Sequence, residues 1–99
     1  MARNWGSVEA GQLSMQKIIR LRKKTALMMN ANLKENELYD PLKDEIVHTK
    51  DVSNTSLGRI YKSLNAMYKA SDPSFVEVRQ FILSKKQLID DELSKRYDI

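Results

Sequence analysis

Apolar residues recur every three or four positions along much of this chain, which is the spacing of amphipathic helices. The clearest case is the segment from about 55 to 70. Its apolar residues follow the i, i+3, i+4, i+7 template without a gap: Leu57, Ile60, Tyr61, Leu64, Met67 and Tyr68. This spacing predicts a helix that buries one face, preceded by a polar loop over 50–56.

A second helix is predicted near the start of the chain, capped by Ser7 or Ser14 and running to about residue 30–32. Its apolar positions again have a spacing of three and four, and Leu21 and Met28 widen the face. The positions expected to point inward are Met15, Ile18, Ile19, Ala26 and Met29. The polar side of this helix carries most of its basic residues.

Two Asp-Pro pairs, Asp40-Pro41 and Asp72-Pro73, are typical of helix starts, because Asp is a good N-cap and Pro is favoured at the first helical position. We therefore expect a short helical turn over 33–39 and a helix from 41 to about 49, or a single kinked helix over both. The last helix is expected to start at the second pair, or just behind it at a capping box formed by Ser74 and Glu77, and to run to about residue 95. We recognise no alternation typical of strands.

These segments predict an all-α fold, an antiparallel four-helix bundle in one domain covering residues 1–99. Residues 1–7 are expected to be a loose lead-in whose Trp5 folds back onto the bundle. Lys85 is expected to place only its stem in the core, and Leu88 or Ile89 to be only partly buried. The predicted core comprises Ile18, Leu42, Ile46, Leu57, Ile60, Leu64, Phe81, Ile82, Leu88 and Ile89.

The sequence offers few candidate residues for catalysis or for binding a metal or a phosphate group. The chain has no Cys, a single His and three Gly, so a thiolate metal site and a glycine-rich phosphate loop are both excluded. His48 is expected near the end of a helix, where it complements the dipole. We therefore expect a protein that is not an enzyme and uses no cofactor or metal. Because no apolar run reaches the roughly 18 residues of a membrane span and no signal-peptide pattern is present, a cytoplasmic location is expected.

The positive charge is concentrated at the start of the chain. Residues 1–30 contain six bases and one acid, whereas residues 31–99 contain eleven bases and twelve acids, so the net +4 comes from the first third. The candidate binding residues are the five bases of the first helix: Lys17, Arg20, Arg22, Lys23 and Lys24. Such a cluster attracts a protein partner or an anionic membrane surface, and nucleic acid less well, since the bases do not lie on a recognition helix. A solvated face that supports solubility explains the same residues.

Three segments together resemble the bacteriocin immunity proteins of Gram-positive bacteria, of the enterocin A and lactococcin A type. They are residues 33–39 (LKENELY), residues 57–67 (LGRIYKSLNAM) and residues 75–82 (FVEVRQFI). The resemblance implies a small basic four-helix bundle that protects the producing cell from its own pore-forming peptide. It also implies action from the cytosolic side near a membrane receptor, with specificity set by the C-terminal half. The alternative is a nucleic-acid-associated or regulatory helical protein that binds through its basic first helix.

Overall fold

The structure is a computed structural model that describes residues 13–97. Helix α1 spans Met15–Asn30, strands β1 and β2 span Glu37–Asp40 and Glu45–His48, helix α2 spans Asn54–Ala70 and helix α3 spans Val76–Tyr97. A short 3-10 turn, Thr49–Asp51, joins β2 to α2. The predicted all-α four-helix bundle is therefore wrong: three helices and a β-hairpin form the fold. The predictions for residues 1–7 and for Trp5 lie outside the described residues.

The hairpin occupies the place of the predicted second helix. β1 and β2 are antiparallel, with Leu38 opposite Val47 and Tyr39 opposite Ile46. At the turn, the Oδ1 atom of Asp40 accepts a hydrogen bond of 3.0 Å from the backbone N–H of Leu42. The Asp-Pro pair therefore starts a turn here, because an Asp side chain can close a turn as readily as it caps a helix.

Two residues in this region were predicted to lie in the core, and both predictions are wrong. Leu42 lies in the hairpin turn and is 71% exposed, and Ile46 lies on the outer side of β2 and is 47% exposed. Leu38 takes their place in the core with 1% exposure. The prediction for His48 is also wrong, since it ends β2 and its Nδ1 accepts a hydrogen bond from the Lys50 N–H.

The core lies around α2, which packs against α1 on one side and α3 on the other. Predicted core residues that are fully buried are Leu57, Ile60, Leu64, Ile82 and Ile89. Ile18, Phe81 and Leu88 pack against them and are partly buried, so the prediction that one of Leu88 and Ile89 is only partly buried is confirmed. Because these residues of α2 and α3 are the ones that pack in the core, the apolar spacing of both helices agrees with the faces that they bury.

Helix α1 buries only one edge of the predicted face, the edge that carries Leu21 and Met28. Leu21, Thr25 and Met28 are its buried residues, and Thr25 satisfies its hydroxyl by donating to the Leu21 carbonyl at 2.9 Å. Met15 and Ile19, which were expected to point inward, are 69% and 48% exposed. The helix thus has a second apolar stripe that the rest of residues 13–97 leaves largely uncovered.

Candidate functional site

All five candidate binding residues lie on α1, a sixteen-residue helix that contains no acidic residue. Lys17, Arg20, Arg22 and Lys23 are exposed, and Lys24 is half-buried. Within residues 13–97, the ion pairs join Arg59 to Asp40 and Arg96 to Glu92, so none of them neutralises a base of α1. The full charge of this helix is therefore presented without an ionic partner from the described part of the chain.

The structure separates Arg22 from the other four bases. At about 3.6 residues per turn, Lys17, Arg20, Lys23 and Lys24 lie on one side of α1, whereas Arg22 lies on the side toward α3. Its Nε donates a 2.7 Å hydrogen bond to the carbonyl of Ala70, the last residue of α2. Arg22 therefore has a structural partner as well as a charge.

The C-terminus of α2 receives a second arginine, Arg79 of α3. Its Nε donates to the Ser71 hydroxyl at 2.9 Å and one Nη donates to the Ser71 carbonyl at 3.1 Å. Its guanidinium also stacks over Tyr68 at 4.4 Å from the ring centre. The last carbonyls of a helix lack hydrogen-bond donors within that helix. Arg22 of α1 and Arg79 of α3 supply donors at this end of α2 from the two neighbouring helices.

The outward side of α1 mixes apolar and basic residues. Ile19 and Leu27 are 48% and 58% exposed, and Lys23 lies between them at four-residue spacing, with Arg20 beside them. Large apolar side chains in an exposed patch are typical of an interaction surface. We call Ile19, Arg20, Lys23 and Leu27 the outer patch.

Beside the outer patch, an open groove of about 220 Å³ lies between α1 and the start of α3. Ala26 and Met29 of α1 form one wall, and Phe75 and Val78 form the other, with Arg22 and Asp72 among the lining residues. Phe75 is 59% exposed. Sequence reasoning missed this groove, because it predicted that the α1 stripe would be buried.

Lys85 was predicted to place its stem in the core, and the structure buries its charged amino group as well. The side chain is only 5% exposed, so the expectation that its head stays in water is wrong. Its Nζ donates a 3.0 Å hydrogen bond to the Lys34 carbonyl, in the loop between α1 and β1. Burial lowers the pKa of Lys85, and nearby Glu37 and Glu35 act in the opposite direction.

Residues 13–97 hold no group of three or more His, Cys, Asp or Glu side chains placed to bind a metal ion. Over the same residues, no helix combines the length and apolar character needed to cross a membrane.

Comparison of the chain with protein-family models, with curated proteins and with solved structures finds no match.

Proposed function

We propose that this chain is a non-enzymatic interaction protein that attaches to an anionic membrane surface through α1, in the manner of a bacteriocin immunity protein. The observation that supports the proposal is the outer patch. It combines exposed apolar residues with bases on a helix that has no acid and no ion pair within residues 13–97. A helix with this combination binds at the interface between lipid headgroups and acyl chains.

The expected strength follows from the number of bases. Each basic residue near an anionic leaflet contributes about 1 kcal/mol, so Lys17, Arg20, Lys23 and Lys24 together supply at most ~4 kcal/mol, or roughly a thousandfold in partitioning. Insertion of Ile19 and Leu27 adds a term that does not depend on salt. Binding is therefore expected to weaken with salt without disappearing.

The immunity role comes from the sequence resemblance, and the fold it implied, a four-helix bundle, is not the fold of this chain. The proposal therefore depends on the α1 surface and places the protein at the cytosolic face of the membrane, near a membrane-associated protein partner. In such a role, a neighbouring reading frame that encodes a short secreted peptide with a double-glycine leader is expected. Its absence would count against immunity and leave surface attachment untouched.

The direct test is co-sedimentation with vesicles of phosphatidylcholine alone and of phosphatidylcholine mixed with phosphatidylglycerol, at low and physiological salt. We expect binding to the anionic vesicles only, reduced by the double variant R20Q/K23Q. The matched control is K62Q/K69Q, which removes two exposed lysines of α2 with the same change in charge. Equal losses in both variants would assign the effect to net charge and contradict the proposed surface.

A duplex-DNA titration of the same proteins tests the nucleic-acid alternative. We expect weak binding that salt abolishes, because the surface offers non-specific phosphate contacts only. DNA binding that exceeds vesicle binding at physiological salt would reject the membrane proposal.

A further inference from the structure

We infer that the groove between α1 and α3 is a docking site for an acidic amphipathic helix of a partner protein. This inference does not depend on membrane attachment, since none of the residues that line the groove belongs to the outer patch. Of the longer α1 stripe that continues the groove, only Ile19 is shared with the outer patch. The groove is lined by Ala26, Met29, Phe75 and Val78 and lies open to solvent.

The size of the groove determines what it accepts. Sites for small molecules and cofactors usually measure roughly 300–1,000 Å³, and this groove measures about 220 Å³. The space suits one or two apolar side chains of an incoming segment better than a whole cofactor. Phe75, being 59% exposed at its edge, gains most from being covered.

The α1 side of the groove continues as a long stripe. Met15, Ile19, Arg22, Ala26 and Met29 have the spacing 4, 3, 4, 3, which is the seam of a two-helix coiled coil. A helix laid along this seam contacts it over several turns, with its apolar anchors entering the groove at Ala26 and Met29. In this mode of binding, an amphipathic helix lies in an apolar groove and contacts it through apolar residues at positions i, i+3, i+4 and i+7.

The positive charge of α1 determines which kind of helix fits the groove. Arg22 lies within the seam and Lys23 beside it, on a helix with five bases and no acid. A second copy of the chain would bring two such helices together, and like charges face to face oppose that pairing. Asp72, the acid at the groove, stays charged and is held in the turn before α3 by hydrogen bonds from the backbone and hydroxyl of Ser74. It lies near Arg22 and Arg79, so the positive charges outnumber it on this surface. A partner helix with glutamates flanking its apolar seam is complementary to this surface.

The test uses two synthetic amphipathic helical peptides with the same leucine seam, one flanked by glutamates and its twin by lysines. Titrated into the full chain by calorimetry, the acidic peptide is expected to bind and the basic twin to bind at least about tenfold more weakly. Ala26→Glu, which places a carboxylate in the groove, is expected to weaken the acidic peptide by about tenfold or more. Ala26 is exposed in a helix, so this variant retains the fold, which circular dichroism verifies.

Gln80→Glu is the matched control, because it makes the same change in charge at an exposed position of α3 outside the groove. Phe75→Ala is a second, uncharged variant expected to weaken the acidic peptide. Equal binding of the two peptides, or equal effects of Ala26→Glu and Gln80→Glu, would overturn the inference. A dimer in sedimentation that Ala26→Glu dissociates would overturn it in favour of a second copy.

Discussion

Replacing Asp40 by Ala is expected to destabilise the protein by detaching the hairpin from α2. The Asp40 side chain is 3% exposed, and its Oδ2 lies 2.8 Å from an Nη of Arg59 on α2. Its other oxygen accepts the Leu42 N–H at 3.0 Å within the turn. One carboxylate thus closes the hairpin turn and joins it to the helix beneath.

The magnitude follows from what the substitution leaves behind. Breaking a buried ion pair by removing one partner costs about 3–5 kcal/mol when the remaining charge stays buried. The Arg59 side chain is 34% exposed and regains part of its hydration, although its Nε is buried without a partner among residues 13–97. We therefore expect Asp40→Ala to lower the free energy of unfolding by about 2–3 kcal/mol. Asp40→Asn, which keeps an oxygen acceptor but loses the charge, is expected to cost about 1–2 kcal/mol.

Urea unfolding followed by far-ultraviolet circular dichroism at neutral pH measures both values. Asp51→Ala is the control, since Asp51 is an exposed acid in the turn after β2 and its loss is expected to change stability by less than about 0.5 kcal/mol. The order of stability should be wild type, Asp40→Asn, Asp40→Ala. An Asp40→Ala variant as stable as Asp51→Ala would refute the assignment of Asp40 as the anchor of the hairpin.

Three further outcomes are expected from the same fold. Leu57→Ala should cost about 2–5 kcal/mol in urea unfolding, because Leu57 is 0% exposed in the core; a cost below 1 kcal/mol would contradict that packing. Arg79→Ala should cost about 1–2 kcal/mol through lost capping of α2 and lost stacking on Tyr68, with Arg79→Lys recovering only part of it. Hydrogen bonds from Ser74 lower the pKa of Asp72 below its ordinary value of 3.8. The stability that the charged Asp72 carboxylate gives to the folded protein is therefore present above pH 3.8, and it is lost as the pH falls through the folded pKa. Thermal unfolding of Asp72→Asn should show a shallower acid loss than wild type, and identical profiles would reject this.

The helices were predictable where a single apolar stripe runs along the segment. The helix predicted over 55–70 is found at Asn54–Ala70, and the last helix, predicted to end near 95, ends at Tyr97. Both bury a continuous stripe, so periodicity together with the polar breaks before them placed them. The start of the last helix was harder, because Asp72 closes a turn with Ser74 before α3 begins at Val76.

The hairpin was not predictable by the same means. Its strands have four residues each, too few for alternation to be recognised. Leu38, Leu42 and Ile46 are also spaced by four, which fits a helix equally well. The contact of Asp40 with Arg59 joins the hairpin to α2 across 19 residues of sequence and leaves no local pattern.

The candidate site was predictable in composition and only partly in arrangement. The basic cluster of α1 is visible in the sequence, but α1 carries two apolar stripes, and packing against α2 determines which one is buried. The sequence favoured the stripe that contains Met15 and Ile19, and the structure buries the one that contains Leu21 and Met28. The separate role of Arg22 depends on a bond to Ala70, 48 residues away along the chain.

The hairpin also determines how the molecule opens over time. Two strands alone are marginally stable in water. Residues 33–52 are held to the helices by the buried Leu38 and Val52, by the Asp40–Arg59 pair, and by the hydrogen bonds of Lys85 to the Lys34 carbonyl and of Arg96 to the Thr49 carbonyl. Releasing these contacts leaves the interface between α2 and α3 intact, so we expect the hairpin to open as a unit before the helices unfold. Its amide hydrogens are then expected to exchange with solvent deuterium earlier than those in the middle of α2.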